Sequence, residues 1–168
     1  MNPAPTILLA EDNPDAIFLL TQAFRKAGWE PPFFTVPDGV EAIAYLDGEG
    51  VFEDRAAHPF PDVLLLDLSM PRRNGFEVLE WIRKDSRFPG LIVHVLSASA
   101  RPADVKRAYE LNANSYVVKP TSMQELVSFV VALRAWHEHV VIAPVSSEQN
   151  QDAVLPRHRS SVSHHDAG

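Results

Sequence analysis

Five short apolar runs alternate along the chain with five segments in which apolar residues recur at helical spacing. A continuous apolar run bounded by turn-forming residues is typical of a strand buried on both faces, and such strands belong to parallel sheets covered by helices. The predicted strands are residues 7–10, 33–36, 63–66, 91–96 and 116–118. Strands that alternate with helices in this way predict a doubly wound α/β domain with a five-stranded parallel sheet.

Capping residues mark where the five predicted helices begin. These helices are expected to follow Asn13, Asp38, Asn74, Arg101 and Ser122. Three of the five residues are followed by Glu at the third position, which is the spacing of a capping box. In the second helix, the spacing of the apolar residues places Val40, Ile43 and Leu46 against the sheet. The last helix is expected to run to about Trp136.

Length and composition indicate one ordinary core. The chain has 168 residues, of which 46% are hydrophobic. A net charge of -7 argues against nucleic acid and anionic membranes as partners, because both attract clustered Lys and Arg. The absence of Cys excludes disulfides, and no apolar stretch is long enough to span a bilayer. We expect a soluble cytoplasmic protein with one domain over residues 1–144 and a disordered polar tail over 145–168.

Residues with reactive side chains stand at the carboxyl ends of four predicted strands. Glu11 and Asp12 follow the first strand, and Asp67 follows the third. Ser97 and Lys119 follow the fourth and fifth. A single carboxylate after a strand is usually a turn or capping residue, but the carboxyl ends of parallel strands meet at one edge, where ligands bind. Three carboxylates there require cations, which Lys119 and Mg²⁺ would supply. Such a site could hold phosphoryl oxygens while a carboxylate attacks phosphorus.

Motifs at these strand ends resemble the receiver domains of two-component response regulators. They are LLAEDNP at 8–14, LLDLSMP at 65–71, VLSA at 95–98 and YVVKP at 116–120, and the resemblance covers roughly residues 7–133. It implies a flavodoxin-like strand order, 2-1-3-4-5. It also implies that Asp67 is the phosphoacceptor and that Asp12 and Asp67 bind Mg²⁺ directly. Glu11 would act through metal-bound water, and the backbone carbonyl of Ser69 would be a further ligand.

The resemblance also assigns roles to residues near the last two strands. Ser97 and Lys119 would contact the phosphoryl group, and the small Ala98 would keep the site open. The Lys119–Pro120 peptide bond is expected to be cis. Ser97 and Tyr116 would form a switch through which phosphorylation remodels the face built from the fourth helix, fifth strand and fifth helix. In the alternative interpretation, Tyr116 is a static, half-buried strand residue.

The last helix carries more apolar residues than one sheet can cover, which implies a partner. An extended apolar segment follows it at about 137–144. Together with the long loop at 48–61 and the sequence AWHEHVVIAP at 135–144, these features resemble stand-alone regulators that pair with phytochrome-type histidine kinases and form dimers through the fourth and fifth helices. We expect such a kinase as partner, and a homodimer. The expected dimer face contains Val127, Val131, Trp136 and Val141. Alternatively, residues 140–143 fold back onto the protein's own sheet or helix.

Two other functions compete with that of a phosphorylated regulator. One is an aspartyl-phosphate-forming hydrolase or mutase with Asp67 as nucleophile, but such enzymes typically carry a second Asp two positions later, where this chain has Ser69. The other is a receiver-like scaffold that binds partners without phosphorylation. We favour a regulator that catalyses only its own phosphoryl transfer and dephosphorylation, and that signals by protein contact.

Overall fold

A five-stranded parallel sheet forms the centre of the protein. The structure is a computed structural model and describes residues 4–85 and 87–140. The strands are β1 (Ile7–Ala10), β2 (Phe33–Val36), β3 (Val63–Leu66), β4 (Ile92–Ser97) and β5 (Ser115–Val118). Their order is β2-β1-β3-β4-β5, and every adjacent pair is parallel. The predicted fold class and strand order are confirmed.

Five helices cover the two faces of the sheet. They are α1 (Pro14–Lys26), α2 (Gly39–Asp47), α3 (Gly75–Lys84), α4 (Pro102–Glu110) and α5 (Met123–His139), and a short 3₁₀ helix follows α2 at Gly50–Phe52. Side chains of α1 and α5 share one hydrophobic core with the sheet, and side chains of α2, α3 and α4 share the other. None of the helices in the described ranges is long and apolar enough to cross a membrane.

Side-chain caps account for the starts of four of these helices. Asn13 accepts hydrogen bonds from two backbone amides of the first turn of α1. Asn74 and Ser122 each complete a capping box with the Glu three residues later. The capping box predicted at Asp38 is only half formed. One oxygen of Asp38 caps two amides of α2, while its other oxygen accepts hydrogen bonds from Arg72.

The predicted orientation of α2 is wrong at its first apolar position. Val40 is 39% exposed, whereas Leu46 is buried as expected. Tyr45 is also buried, and its hydroxyl donates a hydrogen bond to the carbonyl of Pro59 at 3.1 Å. Its ring centroid lies 5.0 Å from that of Phe52. The loop after α2 therefore supplies part of the surface that buries this helix, and helical spacing within α2 could not predict that contribution.

Helix α5 buries one side and exposes the other. Val130 and Leu133 are buried, whereas Val131 is 50% exposed and Trp136 is 38% exposed. The helix reaches His139, slightly beyond the predicted end. Val141, the remainder of the extended segment and the polar tail lie outside the described residues. The apolar surface of α5 that the protein's described residues leave uncovered is thus centred on its carboxyl half.

The predicted cis bond between Lys119 and Pro120 is wrong, because the peptide bonds of the described residues are all trans. Trans is the lower-energy form of an X-Pro bond unless the surrounding structure requires cis. The long side chain of Lys119 reaches the carboxylates of Glu11 and Asp67 from a trans backbone.

Candidate phosphoryl and metal site

Glu11, Asp12 and Asp67 meet at the carboxyl edge of the sheet. Ala10 of β1 is level with Leu66 of β3, so the residues that follow these two are neighbours. One carboxylate oxygen from each of the three acidic residues lies within 4.8 Å of those from the other two. Glu11 and Asp67 are buried, and Asp12 is exposed. The structure thus brings together the acidic residues that the sequence places at strand ends.

Lys119 compensates part of this negative charge. Its Nζ lies 2.5 Å from Oε2 of Glu11 and 3.2 Å from Oδ2 of Asp67. Burial alone would lower the pKa of the Lys119 ammonium, but the hydrogen bond to Glu11 and the charges of both carboxylates outweigh burial and raise that pKa. Burial also raises the pKa of the Glu11 carboxyl, against the hydrogen bonds that it accepts from Lys119 and from the amide of Asn13. Both shifts favour the protonated form, as expected where negative charge is in excess.

The donor set fits a hard divalent cation. Three carboxylates and one ammonium leave a surplus of two negative charges. The donors are oxygen atoms, which Mg²⁺, Mn²⁺ and Ca²⁺ prefer. The exposed Asp12 leaves the cluster accessible from solvent. The amide of Ser69 donates to Oδ1 of Asp67 at 3.3 Å, so the backbone of Ser69 lies beside this cluster.

Ser97 and Tyr116 are linked through a residue that the sequence did not single out. The buried Oγ of Ser97 accepts a hydrogen bond from the amide of Ser99 at 3.2 Å. The hydroxyl of Tyr116 donates to the carbonyl of Ser99 at 2.7 Å. Ser99 also donates from its own hydroxyl to Asp104 in α4, at 2.6 Å. The loop between β4 and α4 therefore connects the two predicted switch residues, and the exposed Ala98 lies within it. The sequence feature that could have indicated this link is the pair of hydroxyl residues, Ser97 and Ser99, on either side of Ala98.

A second unpredicted contact involves the loop that follows Asp67. Arg72, in the loop after Asp67, forms a hydrogen-bonded ion pair with Asp38 at the start of α2. The side chain of Asp38 is only 5% exposed. Since the two residues are 34 positions apart, no local pattern links them. The contact joins the loop after β3 to the helix after β2.

Comparison with known proteins agrees with this geometry. Residues 7–131 match the family model described as the response regulator receiver domain. The response regulator Rcp1 of Synechocystis is 30% identical over 145 residues, which cover 86% of this chain and 97% of Rcp1. The chain therefore belongs to the response regulator receiver domain family. The general role of receiver domains is to accept a phosphoryl group from a kinase in signal transduction.

Solved structures of response regulators share the fold over most of the chain. RPA3017, in red light signaling of R. palustris, has a TM-score of 0.79 at 33% identity, and the match covers 83% of this chain and 99% of that chain. The phosphorylated cyanobacterial phytochrome response regulator RcpA has a TM-score of 0.76 at 32% identity, with coverage of 84% and 99%. The Mn²⁺-bound form of Rcp1 has a TM-score of 0.74 at 30% identity, with coverage of 83% and 99%. The chain thus resembles phytochrome response regulators.

Proposed function

We propose that the protein accepts a phosphoryl group on Asp67 from a histidine kinase and passes the signal on by contact with other proteins. The observation that carries this proposal is the position of Lys119, whose Nζ contacts the buried carboxylates of Glu11 and Asp67. Asp12 completes the acidic cluster around the same point. An attacking carboxylate, a cation binding site and a phosphoryl-binding ammonium are then within reach of one another.

The proposed reaction is an in-line displacement at phosphorus. A carboxylate oxygen of Asp67 forms a bond to phosphorus while the bond from phosphorus to a ring nitrogen of the kinase histidine breaks. The electron pair of that bond leaves with the histidine. Lys119 donates to a phosphoryl oxygen, and the hydroxyl of Ser97 donates to a second one. Beside Ser97, the small side chain of Ala98 leaves room for the phosphoryl group.

We propose Mg²⁺ as the cation. Asp12, Asp67 and the backbone carbonyl of Ser69 would bind it directly, and Glu11 would bind through water. When bound, the ion neutralises charge on the phosphoryl oxygens and orients them for attack. The all-oxygen donor set supports this choice, as does the Mn²⁺-bound form of the relative Rcp1.

We propose a phytochrome-type histidine kinase as the phosphoryl donor, because RPA3017 acts in red light signaling and RcpA is a phytochrome response regulator. Since such a kinase uses ATP, the transfer would take place in the cytoplasm. The net charge of -7 supports protein partners over nucleic acid or membranes. The experiment is phosphotransfer from prelabelled, purified histidine kinases of the source organism. We expect fast labelling by a phytochrome-type kinase. Labelling by another class alone would contradict the kinase assignment, and labelling by none would contradict the function.

The rival function, hydrolysis or isomerisation of a small phosphorylated substrate, predicts a different stoichiometry. A regulator holds at most one phosphoryl group per chain at any time after reaction with acetyl phosphate, whereas a hydrolase or mutase releases many product molecules per chain from phosphomonoesters. Ser69 offers no carboxylate at the position where such an enzyme would use its second Asp. Sustained turnover of several phosphomonoesters would therefore favour the enzyme over the regulator.

We propose a homodimer formed through α4, β5, α5 and the segment after α5. Val131 and Trp136 provide large exposed apolar side chains on α5, and Tyr109 and Val118 do so on α4 and β5. Val127 is half-buried on the same helix as Val131 and Trp136, and Val141, which the sequence assigns to this face, lies outside the described residues.

The double substitution Val131→Ser and Trp136→Gln is expected to convert the dimer to a monomer. Apolar side chains at the centre of an interface contribute about 1–3 kcal/mol each, and each substitution occurs twice in a symmetric dimer, so the dissociation constant should rise by about a thousandfold or more. Sedimentation velocity over a concentration series measures this change. Val51→Ser is the matched control, because Val51 is exposed but lies in the loop after α2. A wild-type protein that sediments as a monomer at every concentration would contradict the dimer.

We propose that Ser97 and Tyr116 transmit phosphorylation to this face through Ser99. With Ser97→Ala, phosphorylation of Asp67 should no longer change amide hydrogen exchange in α4 and β5, although the wild type should show such a change. The physical reason is that the hydroxyl of Ser97 cannot then exchange its contact with the Ser99 amide for a phosphoryl oxygen. Ser128→Ala, which removes an exposed hydroxyl of α5, is the control. Unchanged exchange in the phosphorylated wild type would favour the static interpretation of Tyr116.

A further inference from the structure

We propose that the ion pair between Arg72 and Asp38 is a positioning device, which holds the loop after Asp67 in the shape needed at the metal and phosphoryl site. This loop comprises residues 68–74 and joins β3 to α3. The role of the site rests on the proposed function, but the conformation of the loop can be measured independently of it. Arg72 and Asp38 would act through the loop and not by contact with the reacting atoms.

The backbone at Arg72 has an unfavourable conformation. Its φ is +63°, in the left-handed region that side chains with a Cβ rarely adopt. The amide of Arg73 donates to the carbonyl of Pro71 at 2.7 Å, so Arg72 is the central residue of a three-residue turn. Such a turn with positive φ is the rare and strained form. The only other non-glycine residue with positive φ in the described ranges is Asn112, a residue type that tolerates this region.

Strained backbone persists only where the surrounding structure holds it. At Arg72, the contacts that can do so are its ion pair with Asp38 and a longer one, of 3.4 Å, with Oε1 of Glu41. Nε of Arg72 donates to Oδ2 of Asp38 at 2.8 Å, and its Nη2 donates to the same oxygen. Asp38 is itself fixed, because its Oδ1 accepts the amides of Val40 and Glu41 at 2.8 and 2.9 Å. The pair therefore anchors the strained turn to the amino terminus of α2.

Close packing at two glycines couples this loop to its neighbours. A Cβ at Gly39 would lie 2.3 Å from the carbonyl oxygen of Arg73. A Cβ at Gly75 would lie 2.3 Å from the carbonyl oxygen of Asp67. The carboxyl end of the loop thus packs against α2 through Arg73, and Gly75, which follows the loop, packs against the backbone of Asp67. A change of conformation at Arg72 would move the intervening Ser69, whose amide contacts the Asp67 carboxylate.

Arg72 has a charge that forms the ion pair and a Cβ that makes positive φ unfavourable, and different substitutions separate these two properties. Arg72→Ala keeps a Cβ but removes the ion pair, so the turn should leave positive φ. Arg72→Gly also removes the ion pair, but glycine adopts positive φ without steric cost. Asp38→Asn retains a good capping residue for α2 while removing the carboxylate charge that lies nearer to Arg72 than that of Glu41. Arg73→Ala is the matched control, because it removes a positive charge from the same exposed loop and leaves the pair intact.

The experiment measures amide chemical shifts of residues 67–74 in the metal-free protein, followed by titration with Mg²⁺. We expect Arg72→Ala and Asp38→Asn to shift the loop resonances and to weaken Mg²⁺ binding by about tenfold, the order of the conformational penalty for positive φ. Arg72→Gly and Arg73→Ala should bind within about threefold of the wild type. The double variant Asp38→Asn/Arg72→Gly should bind Mg²⁺ as tightly as Arg72→Gly does, since glycine adopts positive φ without the ion pair.

The proposal would be overturned if Arg72→Gly and Arg72→Ala weakened Mg²⁺ binding equally. It would also be overturned if Arg72→Ala kept the amide chemical shifts and the Mg²⁺ affinity of the wild type. If the wild type bound no Mg²⁺, the proposed metal site would be wrong. The metal-free loop resonances would then still decide whether the pair holds the loop, because they compare the same variants without reference to metal or phosphoryl chemistry. Failure of the two proposals is therefore distinguishable.

Discussion

Asp67→Asn is expected to abolish phosphorylation by acetyl phosphate and Mg²⁺, because the amide oxygen of Asn lacks the negative charge that a carboxylate brings to phosphorus. The two side chains have nearly the same shape, so the variant should remain folded. It also removes one of three clustered carboxylates and leaves the contact between Lys119 and Glu11 in place. Intact-protein mass spectrometry and labelling with radioactive phosphate both measure the loss.

The control for this prediction is Asp54→Asn, which changes an exposed carboxylate in the loop after α2. It should be labelled as fully as the wild type. Acid-labile phosphate on Asp67→Asn in amounts comparable to the wild type would show that another residue is the phosphoacceptor. Of the neighbouring carboxylates, the exposed Asp12 would then be the first candidate.

The parts of the structure that the sequence predicted correctly are those that short segments determine. An apolar run that ends in a polar residue indicates both a strand and the position of its carboxyl end. Because the strands are parallel, their carboxyl ends lie at one edge of the sheet, and the proximity of Glu11, Asp12 and Asp67 could be predicted from these patterns. The same is true of the caps at Asn74 and Ser122, where each box lies within four residues.

The errors and omissions concern contacts between distant segments. Val40 is exposed because α2 is buried partly by the loop that follows it, through Tyr45. The pair between Arg72 and Asp38 joins the loop after β3 to the start of α2. It also involves a positive φ at Arg72, which arginine rarely adopts and which the sequence therefore does not indicate. Local patterns thus predicted which residues meet, but not the backbone details that position them.

A buried pair of histidines illustrates the same point and has a measurable consequence. His94 of β4 and His137 of α5 are both buried, with ring centroids 6.2 Å apart. Nδ1 of His94 lies 2.7 Å from the hydroxyl of Ser115, but Nε2 has no hydrogen-bond partner among the described residues. Trp136 packs edge-on against the His94 ring at 5.3 Å. The charged group that acts on His137 is Asp62, at the opposite end of β3 from Asp67.

Burial, with a smaller contribution from the charge of His137, lowers the pKa of His94 from 6.5 to about 4. Burial also lowers the pKa of His137, although Asp62 opposes that shift. In the unfolded chain, His94 binds a proton as the pH falls through 6.5, whereas in the folded protein it stays neutral until about pH 4. The unfolded state therefore binds more protons at His94 across this range. The contribution of His94 to the free energy of unfolding decreases as the pH falls from 6.5 to 4 and is constant above this range.

We therefore expect His94→Leu to reduce the acid sensitivity of the fold by as much as ~3 kcal/mol between neutral pH and pH 4, the limit set by the pKa shift of His94. Urea unfolding at a series of pH values measures the free energy of unfolding of both proteins. The carboxylates titrate alike in both, so their contribution cancels in the difference. His139→Leu changes an exposed position on α5, the helix that carries His137, and should keep the wild-type slope. If the free energy of unfolding changed with pH in the same way for the wild type and His94→Leu, His94 would be protonated as readily in the folded protein as in the unfolded chain. Its unpartnered Nε2 would then be in contact with solvent.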